Sequence, residues 1–233
     1  VIEADCESCG HHYRAPVQGG HRVLCGDATR ELDVAAVLGG AHVDAVVTDP
    51  PYGVGLEYRS FEDSIENVEK LIEGIMPTVL AAPCAAITSG VPAMWSYPRP
   101  AWLLAWVHPA GMGSGPWGFT CLNPILVYGR DPYLAKGLGR HPDTLVLDAD
   151  REDASGHPAI KPAAVWAWLV ERMTTKAGQV VLDLFGGAGT TAIACEQLGR
   201  RGHLIELDPV YVDVAVRRWE RFTGRRAVKD AGS

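Results

Sequence analysis

The run Asp49-Pro50-Pro51-Tyr52 packs an acid, two stiff residues and an aromatic ring into four positions, directly after the apolar stretch Ala45-Val46-Val47. That placement predicts a turn at the carboxyl end of a buried strand. The Asp49 carboxylate and the Pro50 carbonyl can both accept hydrogen bonds from an amino group. Pro51 holds the turn open, because each proline fixes its own φ and biases its predecessor away from helix. Tyr52 offers a face on which a flat ring can stack. Together the four suit the exocyclic amine of a nucleobase. Taken alone, Asp-Pro-Pro is also an ordinary strand stop, so the rest of the chain has to decide.

A second chemical motif follows far along the chain. Val180-Val181-Leu182-Asp183-Leu184-Phe185-Gly186-Gly187-Ala188-Gly189-Thr190-Thr191 reads as strand, glycine turn and helix start. Glycines let the backbone pass close to a ligand, and the first helical turn offers free N–H groups. Glu206 stands at the end of the next predicted strand, where a carboxylate can accept both ribose hydroxyls of an adenosine. The site suits S-adenosylmethionine. Gly187-Ala188-Gly189-Thr190-Thr191-Ala192 also fits the G-x-G-x-x-A form of a dinucleotide fingerprint, but a nicotinamide enzyme has no use for Asp-Pro-Pro-Tyr at another strand end. An amine-binding turn and an adenosylmethionine turn make one coherent methyl-transfer site.

With these residues in view, the chain resembles the DNA amino-methyltransferases that act at adenine N6 or cytosine N4. The resemblance rests on Asp49-Pro50-Pro51-Tyr52, on Asp183 to Thr191, on His157-Pro158-Ala159-Ile160-Lys161-Pro162 and on Ile205-Glu206-Leu207-Asp208-Pro209-Val210-Tyr211, and runs from about residue 21 to 224. The amine-binding motif precedes the cofactor turn, as in the permuted β group of that family. The resemblance implies that Asp49, Pro50, Pro51 and Tyr52 are catalytic. It implies that Asp183, Phe185, Gly187, Gly189 and Thr190 line the cofactor site, that Glu206 holds the ribose, and that Asp27 lies near the adenine. Segment 157–162 would close over the methionine end, with His157 and Lys161 in the cofactor site and Lys161 a partner for the carboxylate. Gly186-Gly187-Ala188 departs from the commoner Gly-Ser-Gly form and carries no loop hydroxyl. The implied reaction is direct methyl transfer to a base flipped out of the duplex. Asp at the first motif position leans toward adenine N6; cytosine N4 or an RNA base is the alternative, and a decayed, non-catalytic nucleic-acid-binding subunit the third reading.

The elements that must position these residues read as an α/β fold: a single doubly wound, mostly parallel sheet with an antiparallel edge pair, Rossmann-like as in adenosylmethionine-dependent methyltransferases. Strands are predicted at 21–25, 43–48, 84–88, 101–107, 123–128, 179–184 and 203–207, and helices at 30–38, 64–80, 162–173, 190–198 and 210–222, with 101–107 and 123–128 as the antiparallel pair. Residues 1–20 form an N-terminal tail, 21–233 the catalytic domain, and 131–156 a short target-recognition insert. Arg130, Lys136, Arg140 and Arg151, in or beside that insert, can touch phosphates or guanine.

Size and composition bound the rest. A chain of 233 residues with 47% apolar content can bury one sizeable core. Net charge is −7, which argues against an autonomous nucleic-acid binder and, with so small an insert, for a homodimer or an accessory partner completing the DNA surface. Basic residues crowd the C-terminal end, from Arg200 to Lys229, either as a phosphate-facing patch or as a solvated helix face paired with Asp213 and Glu220. Trp95, Tyr97, Trp102, Trp106, Trp117 and Phe119 read as core and rim. Cys25, Cys84, Cys121 and Cys195 read as buried thiols. Cys6 and Cys9, followed by His11 and His12, have zinc-knuckle spacing without a second pair; a metal-free tail is the expectation. No apolar run reaches the roughly 20 residues of a membrane helix and the first residues lack a secretory pattern, so a cytoplasmic protein of a bacterium or phage-infected cell is expected.

Overall fold

The apolar run at 45–47 should be covered on both faces. The computed structural model describes residues 12–14, 20–111, 113–148 and 161–229, and sets that run in the middle of a ten-stranded sheet. In chain order the elements are β1 (His12–Arg14), β2 (Arg22–Cys25), α1 (Glu31–Leu38), β3 (Ala45–Thr48), α2 (Ile65–Ala81), β4 (Cys84–Thr88), α3 (Gly90–Ala93), β5 (Trp102–Val107), β6 (Gly113–Gly115), β7 (Gly118–Thr120), β8 (Leu122–Gly129), β9 (Thr144–Val146), α4 (Ala163–Met173), β10 (Val180–Asp183), α5 (Thr190–Gln197), β11 (Arg201–Glu206), α6 (Pro209–Thr223) and β12 (Val228–Lys229). The sheet order is β12-β1-β2-β11-β10-β3-β4-β8-β5-β9, and β6 and β7 form a separate hairpin. Strands β2, β11, β10, β3 and β4 are mutually parallel. The expected antiparallel pair is β5 with β8.

Alternation along the central strands explains why they are apolar throughout. Val46 packs into one layer with Val34 and Val37 of α1 and Val68, Ile72, Ile75 and Val79 of α2. Ala45 and Val47 face the opposite layer, against Val165, Trp166, Leu169 and Val170 of α4 and Cys195 of α5. Each large side chain so buried contributes roughly 1.5–3 kcal/mol. Two helices begin at side-chain caps. Ser64 caps α2 by accepting from the Asn67 N–H, and Asp208 caps α6 by accepting from the Val210 N–H, with Pro209 at the tolerated first position.

The connections fix where a ligand can bind. From β3 the chain crosses through α2 to β4 on one side; from β10 it crosses through α5 to β11 on the other. Strands β3 and β10 are neighbours, so the two crossovers diverge between them. A crevice outside the carboxyl ends of two such strands is where doubly wound sheets bind ligands.

Several parts differ from the sequence expectation. Residues 12–14, expected as tail, pair antiparallel with β2 and β12. Part of the expected insert, β9, adds parallel to β5 outside the antiparallel pair. The β6–β7 hairpin, three residues a strand, was too short and glycine-rich to show periodicity. Cys121 is half-buried rather than buried; Cys25, Cys84 and Cys195 are buried. Tyr97 and Trp106 are core, whereas Trp95, Trp102, Trp117 and Phe119 are exposed. Cys6, Cys9, Arg151 and His157 lie outside the described residues. Among the described residues, no helix is long and apolar enough to cross a membrane, and no group of three or more His, Cys, Asp or Glu could hold a metal ion.

Candidate active site

Strand β3 ends at Thr48, and the chain turns at once into Asp49, Pro50, Pro51 and Tyr52. Strand β10 ends at Asp183 and turns into Leu184, Phe185 and the glycines. The two strand ends are laced together: the Thr48 hydroxyl donates to Asp183 Oδ1 at 2.8 Å, and the Leu184 N–H donates to Thr48 Oγ1 at 3.1 Å. One cavity therefore receives both turns. Asp49, Pro51 and Lys161 line it together with Asp183, Phe185, Gly186, Gly187, Ala188, Thr190 and Glu206. Asp27 lines it from the end of β2.

The Asp49 carboxylate is held from three directions. Oδ1 accepts from the Tyr52 hydroxyl at 2.6 Å and from the Thr88 hydroxyl. Oδ2 accepts from the Lys161 ammonium at 2.6 Å. Lys161 also stands over the Tyr52 ring, 4.9 Å from its centroid. Burial alone would lower the lysine's pKa, but the Asp49 charge outweighs it and the group stays well above the usual lysine range. Burial and then the Asp49 charge push the Tyr52 phenol up to about 12, so it stays a neutral donor. Thr88, the last residue of β4, is buried; as one threonine in an apolar strand it carried no sequence signal.

On the side of the glycine turn, Glu206 closes β11. Its Oε2 accepts from the Gly187 N–H at 2.7 Å and its Oε1 from the Asp208 N–H at 2.8 Å. Burial is the main cause that raises its pKa, to about 7, even though both backbone donors oppose the shift. Each oxygen retains a lone pair for a hydroxyl. Asp183 is buried and raised to about 6 by desolvation, against hydrogen bonds from the Thr191 hydroxyl, the Phe185 N–H and the Thr48 hydroxyl. It therefore shapes the glycine turn rather than offering a free carboxylate. Gly189, at φ +79°, caps α5; a Cβ there would lie 2.7 Å from the Ala215 Cβ. Arg218 of α6 donates to the Ala188 carbonyl and to Thr190 Oγ1, tying the turn to the last helix. Asp27 Oδ1 accepts from the Thr29 N–H and hydroxyl, so its other role is to hold a local turn.

The structure thus brings together Asp27, Asp49, Pro51, Lys161, Asp183, Phe185, Gly187, Thr190 and Glu206 around one space. Tyr52 joins them through Asp49. Pro50 is buried beside the turn. Gly189 sits behind the loop rather than in the lining. Residues the sequence reading missed in the lining include Tyr58, Phe61, Trp166, Thr191 and Tyr211. Tyr58 and Phe61 lie in a stretch read only as a polar loop. That loop is ordered around buried Asp63, whose carboxylate accepts from the N–H groups of Gly53, Val54 and Leu56. Trp166 lay hidden in the helical pattern of α4; its indole N–H donates to Thr191 Oγ1 at 2.6 Å.

The basic C-terminal cluster is mostly exposed, and most of it is paired within the fold, as expected of a solvated helix face. Arg200 and Arg201 hold backbone carbonyls, while Arg217, Arg225 and Arg226 pair with Asp213, Glu196 and Glu220. Arg130 and Arg140 share a cavity with Cys84, Trp102 and Arg172, at the end of the sheet where β4 begins. Asp49 is at the other end.

Comparison with known proteins agrees with this geometry. The DNA methylase family N6_N4_Mtase matches residues 104–217. A Type II methyltransferase of Citrobacter freundii, M.Cfr9I, is 51% identical over 45 residues, 19% of this chain and 15% of its own length; the match thus spans well under two thirds of that relative. Among solved structures, the PvuII DNA methyltransferase (cytosine-N4-specific) superposes with a TM-score of 0.61 at 19% identity, covering 88% of this chain and 90% of that one. The M1.HpyAVI-SAM complex gives a TM-score of 0.60 at 22% identity over 84% of this chain and 97% of that one. These two structures share the fold.

Proposed function

We infer that the chain belongs to the N6/N4 DNA methylase family, and from that premise its cleft reads as the site of methyl transfer from S-adenosylmethionine to the exocyclic amine of a DNA base. One observation carries the reading: the acidic proline turn and the glycine turn open into the same cavity at the divergence of β3 and β10. The residues present suit the cofactor. Glu206 is a half-buried carboxylate with acceptor capacity left, beside a turn whose N–H groups and glycines permit close approach. Glu206 would hold the ribose, Asp27 the adenine side, and Asp183, Phe185, Gly187 and Thr190 the wall between, with Gly189 shaping the turn. When bound, the cofactor supplies a methyl group on a cationic sulfur, which needs no metal or covalent enzyme intermediate.

The chain's own task is orientation. Asp49 Oδ1 is fixed by Thr88 and Tyr52, so the target amine would take the place of the Lys161 ammonium on Oδ2, beside the Pro50 carbonyl. These bonds favour a more tetrahedral nitrogen, whose lone pair is otherwise delocalised into the ring. Holding both reactants in line supplies much of the rate. Tyr52 stacks on the base, and a base inside a duplex has to be flipped out to reach it. The motif order follows the permuted β group. Aspartate at the first motif position favours adenine N6; the cytosine-N4-specific neighbour keeps cytosine as the second reading. Segment 131–156 is the proposed recognition insert, but its Arg140 stands at the far end of the sheet from Asp49, so a second copy or an accessory chain would extend the DNA surface.

Incubation with isotope-labelled S-adenosylmethionine and unmethylated genomic DNA, then digestion to nucleosides, tests both readings at once. N6-methyladenine is the expected product. Labelled N4-methylcytosine would move the assignment to the second base, and label in neither would remove the methyl-transfer reading. Asp49→Ala should bind cofactor normally by calorimetry while transfer falls at least 100-fold, on the order of the contribution of a positioned polar group.

A further inference from the structure

Asp49 and Lys161 are only 15% and 13% exposed, so their ion pair is shielded rather than superficial. Of the two Asp49 oxygens, Oδ1 is saturated by Thr88 and Tyr52, and Oδ2 is the one on which an incoming amine could bind. Lys161 sits on it. The Tyr52 ring is restricted in the same way. Gly90, at φ +62°, backs the ring so closely that a Cβ there would lie 2.6 Å from Tyr52 Cδ2. The ammonium stands against the ring 4.9 Å from its centroid, where a stacked base would have to lie. A nitrogen bearing donor hydrogens, on the Asp49 oxygen and against the Tyr52 ring, is what the target amine would be.

We propose that Lys161 is a removable stand-in for the target amine, drawn off Asp49 by the carboxylate of the bound cofactor, so that the base pocket opens only once the cofactor site is filled. The inference rests on the methyl-transfer reading above. A buried cation does not leave its partner for empty space, because an unpaired buried charge costs several kcal/mol. Lys161 therefore needs another anion in reach. The other acids that line its cavity already hold partners of their own: Asp183 the Thr48 and Thr191 hydroxyls and the Phe185 N–H, Glu206 the Gly187 and Asp208 N–H groups, and Asp208 the Val210 N–H and the Arg59 guanidinium. Asp27 is held by Thr29. A carboxylate brought in by the ligand is the remaining candidate, and Lys161 lines the cavity into which it would come. The exchange keeps Asp49 from capturing base amines while no methyl donor is present.

Two ligands separate this from a static ion pair. S-Adenosylhomocysteine carries the amino-acid carboxylate and no transferable methyl; 5′-methylthioadenosine has the same adenosine and thioether without the carboxylate. In a chain labelled with ¹⁵N at its lysine side chains, the Lys161 ammonium signal is identified by its loss in Lys161→Arg. Saturating S-adenosylhomocysteine should shift that signal and methylthioadenosine should leave it in place. S-Adenosylhomocysteine should also tighten binding of a duplex with a central adenine–cytosine mismatch by about tenfold, read by anisotropy. In Lys161→Met the tightening should vanish while affinity without ligand rises. Equal shifts with both ligands, no shift with either while both bind by calorimetry, or unchanged coupling in Lys161→Met would each overturn the proposal. If neither ligand binds at all, the cofactor reading itself falls, and the stand-in with it.

Discussion

Thr88 drew no notice as a letter, whereas Glu206 stood out in the sequence; each carries a prediction. Thr88 pins one Asp49 oxygen, so Thr88→Val should lower kcat about tenfold or more, the loss of one hydrogen bond to a charged acceptor, while cofactor affinity holds. Fold retention would be checked by circular dichroism. Glu206 makes a pH prediction with two opposite signs. Its folded pKa, about 7, lies above its ordinary 4.5, so it favours the folded state below about pH 4.5 and loses that contribution as pH rises through 7. The full swing is about 3 kcal/mol. Ribose hydroxyls, in contrast, donate best to the ionised form. Between pH 6 and 8 the free protein should therefore lose thermal stability while its affinity for S-adenosylhomocysteine rises. Melting curves and calorimetry at the two pH values check both signs, and Glu206→Gln should flatten the affinity trend. Affinity independent of pH across that range would exclude Glu206 as the ribose acceptor.

The two turns that meet in the cleft have a geometry set by what packs behind them. The glycine turn passes over α6 so closely that Gly189 has no room for a Cβ against Ala215. Arg218 of the same helix holds the Ala188 carbonyl. Gly189→Ala combines a positive φ with that clash, and should cost about 1–3 kcal/mol. It should also weaken S-adenosylhomocysteine binding, since the turn has to shift to relieve the contact; a thermal melt and a binding isotherm on the same variant measure the two effects. At this scale much was legible in the residues. Strand β4 matches its expected span of 84–88, Ser64 is the predicted cap of α2, and α4 follows Pro162. The β6–β7 hairpin and β9 were not legible. With three residues a strand, each exists because a neighbour offers an edge, and such short runs have no period of their own.

Across the whole molecule, the sheet has an end that carries the cleft and a far end. Asp49, Thr88, Asp183 and Glu206 all stand at or just beyond the carboxyl ends of parallel strands. Arg130 and Arg140, expected to help read the target, gather where β4 starts, five residues away at about 3.3 Å each, or roughly 17 Å. Arg130→Ala and Arg140→Ala should therefore leave transfer and duplex affinity within about twofold, the usual range of surface substitutions. A loss of tenfold or more in filter binding would show that DNA wraps the sheet edge. The acidic net charge fits the same picture, since most of the C-terminal arginines are engaged in ion pairs and carbonyl contacts within the fold.

By itself the sequence determined the two turns, their order along the chain and the parallel architecture, because these follow from local rules: proline and glycine backbone limits, strand-length apolar runs and helix caps. Only the tertiary structure decided which groups meet. That Thr88 holds Asp49, that Gly90 backs Tyr52 and that Lys161 pairs with Asp49 are contacts between residues 38 to 112 positions apart. No local pattern encodes them; they arise when divergent crossovers bring β3, β4 and β10 to a common edge, where packing sets which side chains face one another.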